Sequence, residues 1–205
     1  MRSKGFLISL FLSNLRSSSN PKIDMEPPSW PGRFSRLRQL FWFFLVLTIG
    51  YMIWVRSYLA PLSSDELIQF EIAKTAARAQ AIIDNWKSTG KYDLGVKSTY
   101  FAYIFMVLYT LAIALGCRFI SACTKNEILA KGGKGFAWLI LLATACDVVE
   151  NIALAHTIHG PVSQWNVTLA YDLSRFKFSI VIVCLLFILA CSLYWLIGKF
   201  AGERE

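Results

Sequence analysis

Three uncharged runs constrain this chain more than anything else in it. Gln39–Val55, Ser98–Cys117 and Phe178–Gly198 contain no Asp, Glu, Lys or Arg over 17, 20 and 21 residues. At 1.5 Å per residue, about 20 apolar residues cross a bilayer core as a helix. A helix is also a form that satisfies its own backbone hydrogen bonds without water. A fourth stretch, Phe136–Ile158, is of spanning length and is interrupted only by Asp147, Glu150 and His156. With 56% hydrophobic residues, 17% charged residues and a mean hydropathy of +0.49, the chain is too apolar for an ordinary soluble domain. The expected fold is all-α, an integral membrane four-helix bundle. Its spans lie at about 39–59, 98–117, 136–158 and 177–198, within one membrane domain covering 38–199.

Charge sets the expected orientation. The net charge of +8 comes from two segments: residues 1–38 contribute +5 and residues 118–134 contribute +3. Basic excess near span ends marks the cytoplasmic side. Both segments fall on one side of a four-span chain, which predicts cytoplasmic N and C termini in a bacterial cytoplasmic membrane. A basic chain of this kind reads as membrane topology, with membrane lipid as its partner and no nucleic acid. Residues 1–37 read as a disordered basic tail. Within it Met25 is a candidate for the natural start, which would leave residues 1–24 out of the native protein.

The predicted outer loop between spans 1 and 2 carries one amphipathic helix over 65–86. Ser63-Ser-Asp-Glu66 has the capping-box form, and Ile68, Ile72, Ala76, Ala79, Ile83 and Trp86 recur at helical spacing. Five acids balance five bases across the whole loop, which favours packing on the bundle over attraction to anionic lipid. Lys131-Gly-Gly-Lys-Gly135 lacks the spacing of a phosphate loop and reads as a flexible basic turn. The cysteines (Cys117, Cys123, Cys146, Cys184, Cys191) fall in spans or in the cytoplasmic loop, form no C-x-x-C pair, and read as small packing residues.

The chemistry is concentrated in the third span. Asp147, Glu150 and Asn151 stand at i, i+3 and i+4, so a helix stacks them on one face. Ionisable groups at membrane depth face a bundle interior and need partners there. Counting helical rise from the basic ends puts the Lys177 Cα about 9 Å beyond Glu150 along the membrane normal, and a lysine stem reaches about 6 Å. A Glu150–Lys177 contact is therefore expected. Asp147, one turn deeper and without a cation, is expected to hold its proton and to pair with Asn151. Tyr103 and Tyr109 of the second span are candidate contributors, but six residues separate them by about 120°, so they do not share a face. His156 and His159 lie on other faces, which disfavours a metal site, and no cofactor is expected.

Three pieces carry a resemblance: Phe70-Glu71-Ile72-Ala73 with Ile82-Ile83-Asp84-Asn85-Trp86, Asp147-Val-Val-Glu-Asn151, and Arg175-Phe-Lys177-Phe178. Together they resemble a group of uncharacterised, mostly bacterial, four-span membrane proteins, over residues 40 to 198. That group has an acid early in the second span, where this chain has Ala102. The resemblance implies the architecture and the polar cluster, and no reaction. Two functions fit the sequence: a non-enzymatic membrane protein whose cluster either clamps the bundle or binds a small ligand or lipid head group, and an intramembrane enzyme acting on a lipid. In the second, Asp147 or Glu150 is the acid or base. Proton-coupled movement through the same acids is a third.

Overall fold

A computed structural model describes residues 31–202, and side chains over 35–200. The basic tail and the candidate start at Met25 lie outside the described residues, apart from the helical stretch that opens at Pro31. The described chain is all-helical: α1 (Pro31–Tyr58), α2 (Ser64–Glu71), α3 (Ala76–Ser88), α4 (Tyr92–Cys123), α5 (Glu127–His159) and α6 (Gln164–Gly202). Four of these, α1, α4, α5 and α6, are long and apolar enough to cross a membrane.

The long helices overrun the spans read from charge. α4 and α5 have 32 and 33 residues, or about 50 Å of helix against a hydrocarbon core of about 30 Å. Only Thr124–Asn126 separate them, and Asn126 caps α5 by accepting from the Ile128 and Leu129 amides at 2.9 and 3.2 Å. The Lys131–Gly135 stretch is consequently helix rather than a flexible turn. Gly133 is buried where α5 crosses α4, and a Cβ there would overlap Ser121 Oγ and come within 2.6 Å of the Cys117 carbonyl oxygen. Gly133 thus lets two backbones approach, which is how helices associate in lipid. At its other end α5 stops at Gly160, before Pro161.

α4, α5 and α6 form the packed core, with Cys117, Ile140, Ala143, Ile180 and Cys184 at its centre. Cys117, Cys184 and Cys191 are buried, and all five thiols are free, as expected of packing residues. α1 is different. None of its described side chains is buried. Aromatic contacts along α4 hold it: Phe41 stacks on Phe119 at 5.6 Å, Tyr51 Oη donates to the Phe101 carbonyl at 3.0 Å, and the Phe101 ring meets Trp54 and Tyr58 edge-on.

The amphipathic segment is two helices, not the single helix expected over 65–86. Ile72 closes α2, and Thr75 opens α3 by accepting from the Arg78 amide at 3.3 Å. Gln164, at the start of α6, braces the break: its Oε1 accepts from the Ala76 amide at 2.8 Å and its Nε2 donates to the Lys74 carbonyl at 3.1 Å. The capping box at Ser63 and Glu66 forms as its sequence requires. That bond, with the Lys91 ammonium 3.0 Å away, holds the Glu66 carboxyl below its ordinary range. The break turns Phe70 and Ala73 inward and leaves Ile68 exposed. Phe70, Ala73, Ala79, Ile83 and Trp86 then pack on Ala153, Leu154, Ile158, Val167 and Ala170, capping one end of the bundle. Trp86 is fully buried against Gly95, where a Cβ would come within 2.7 Å of its ring. Gly90, at φ +70°, makes the tight turn between them.

Candidate functional site

The i, i+3, i+4 face of α5 points into the bundle. Asp147, Glu150 and Asn151 are 6%, 0% and 5% exposed, and Lys177 of α6 is 7% exposed beside them. The Lys177 Nζ lies 2.6 Å from Asp147 Oδ1 and 2.8 Å from Glu150 Oε2. Glu150 is fully buried, with the Lys177 ammonium as its counter-ion. Ser174, three residues before Lys177, is fully buried beside this carboxylate.

Asp147 is the hub, which corrects the expectation that it would lack a cation. Besides Lys177 it accepts from Tyr109 Oη of α4 at 2.9 Å and from Asn151 Nδ2 at 3.2 Å, while the same Nδ2 donates to the Asp147 carbonyl at 3.0 Å. Three donors, from α4, α5 and α6, thus converge on one buried carboxylate. The Asn151 partner was expected. Of the two candidate tyrosines Tyr109 joins the cluster; Tyr103 is half-buried and makes no hydrogen bond to it. His156 and His159 are exposed and apart from it. Among the described residues no group of three His, Cys, Asp or Glu side chains is placed to hold a metal ion.

Sequence reasoning missed one member. Glu71, the last residue of α2, places Oε2 4.0 Å from the Lys177 ammonium. Helical spacing leaves it off the stripe of Ile68, Ile72, Ala76, Ala79, Ile83 and Trp86, because that spacing runs a single helix through Ile72–Thr75. The signal available was its place inside Phe70-Glu71-Ile72-Ala73, one of the pieces carrying the resemblance. One ammonium therefore meets carboxylates from α2 and α5, and α4 holds the hub through Tyr109.

Burial raises the Glu71 pKa above the ordinary carboxylate range; Lys177 opposes this and the Asp147 charge reinforces it. Such a carboxyl binds more protons folded than unfolded, so stability falls as pH rises from the ordinary carboxylate value through the raised one. In Glu71→Gln this downward slope is expected to disappear. Unfolding of both proteins in the same micelles across that pH window measures it, and parallel curves would refute it.

Comparison with family models, with curated proteins and with solved structures returned no match.

Proposed function

We propose that the chain is a non-enzymatic integral membrane protein in which the Lys177 cluster clamps the capping helices onto the membrane-spanning bundle. One observation carries this reading: the Lys177 ammonium lies within 4.0 Å of Glu71, Asp147 and Glu150, and Tyr109 ties the same carboxylate to α4. Buried charges that share partners in this way fix helix register and orientation. The basic segments at residues 1–38 and 118–134 support cytoplasmic termini, and the resemblance noted above supports a bacterial cytoplasmic membrane.

Paired substitutions Asp147→Asn and Glu150→Gln test the clamp. Each is nearly isosteric and leaves Lys177 with fewer counter-charges. The expected result is loss of cooperative unfolding in detergent, or a loss of roughly 2–4 kcal/mol. A variant of unchanged stability would end the clamp reading and turn attention to acid–base chemistry at these carboxyls.

A further inference from the structure

A cavity of about 610 Å³ lies between α1, the turn that follows it, α2, α4 and one face of α5. That volume suits a small ligand or a lipid headgroup with the start of its chains. Met52, Phe101, Phe105 and Leu154 contribute apolar wall. Two sets of polar groups also line it: Arg56, Ser63 and Asp65 where α1 gives way to α2, and Glu71 and Asn151 from the clamp.

Asn151 is 95% buried by its 5% exposure, and its orientation is fixed. Both recorded bonds of its Nδ2 go to acceptors on Asp147, so Oδ1 is the amide's acceptor atom, and it has no partner among the described residues. Glu71 is the least neutralised of the three acids. Lys177 carries one charge and sits at 2.6 and 2.8 Å from Asp147 and Glu150, against 4.0 Å from Glu71. The cavity wall thus offers a carboxylate and a free carbonyl, both acceptors, in apolar surroundings. Arg56, also in the wall, forms no ion pair among the described residues.

We propose that this cavity binds a phospholipid with a primary ammonium headgroup. The ammonium donates hydrogen bonds to Glu71 and to Asn151 Oδ1, the phosphate pairs with Arg56, and the acyl chains follow the apolar wall between α1 and α4. A choline headgroup, its nitrogen capped by methyl groups, has no N–H to give these acceptors. A glycerol headgroup brings no cation to Glu71. The inference deepens the clamp reading, because Glu71 and Asn151 belong to that cluster and also line this cavity.

The test is native mass spectrometry of the full chain in detergent, titrated with phosphatidylethanolamine, phosphatidylcholine and phosphatidylglycerol of identical acyl chains, and with free ethanolamine. Phosphatidylethanolamine is expected to bind at about tenfold lower concentration than the other lipids. Glu71→Gln removes that preference, and Ala102→Trp, which fills the cavity from α4, removes binding; Ala102→Leu serves if the larger side chain prevents folding. Equal binding of the three lipids, or wild-type selectivity in the Glu71 and Ala102 variants, overturns the proposal. Free ethanolamine binding as tightly as the lipid overturns the lipid assignment. The clamp is judged separately by unfolding of the Asp147 and Glu150 variants. Selective lipid binding with unchanged stability in those variants sinks the clamp alone; lost stability with unselective binding sinks the lipid site alone.

Discussion

Replacing Lys177 by methionine is expected to cost the fold about 3–5 kcal/mol at neutral pH, the largest effect of any single substitution considered. The methionine fills similar space, so the loss comes from charge. Glu150 is fully buried and Asp147 nearly so, and neither retains a cation within ion-pair distance among the described residues. Three acids would then face one another across α2 and α5. Part of the loss should return at acidic pH, where Glu71, whose carboxyl burial already holds above its ordinary range, takes up a proton and leaves the repulsion. Unfolding in micelles at two pH values reads both effects. A variant as stable as the parent at neutral pH would mean that the ammonium is not a counter-ion to these acids.

The second large effect belongs to the α4–α5 crossing. Gly133→Ala is expected to destabilise by about 1–3 kcal/mol, because its Cβ meets Ser121 Oγ and the Cys117 carbonyl oxygen. Ser121→Gly in the same protein relieves the side-chain clash and leaves the backbone one, so rescue should be partial. Gly135→Ala, only two residues away, meets nothing within 4 Å and should be neutral or stabilising by up to about 1 kcal/mol. Opposite signs at the two glycines, read by the same unfolding assay, identify close backbone approach as the cause. Equal effects would point to helix propensity alone.

What the sequence disclosed was what is local. Uncharged length marks a span wherever it occurs, and the spacing of Asp147, Glu150 and Asn151 fixes a shared helix face whatever the neighbours are. Likewise the capping box at Ser63 and the stop at Gly160 depend on a few adjacent residues. Contacts between distant residues stayed hidden. Gln164 braces the break between α2 and α3 from about ninety positions away, and that break turns Phe70 inward and brings Glu71 to Lys177. The depth estimate that leaves Asp147 without a cation counts from the basic ends of the third and fourth spans, Lys134 and Lys199, as if they marked one level. In fact α5 begins at Glu127 and α6 runs to Gly202, so those lysines are points along continuous helices rather than their ends. The Lys131–Gly135 stretch misled for a related reason. Glycine-rich and basic, it has the composition of a turn, yet it is helix, and α4 packs against the missing side chain of Gly133.

The most direct test of the account is a double-mutant cycle between Lys177→Met and Asp147→Asn, with unfolding free energies measured in one detergent. If the ammonium and the Asp147 carboxylate are partners at 2.6 Å, the two losses overlap, and the double variant is more stable than their sum by about 2 kcal/mol or more. Strictly additive losses would show that the two groups do not meet, and the clamp at the centre of this fold would have to be abandoned.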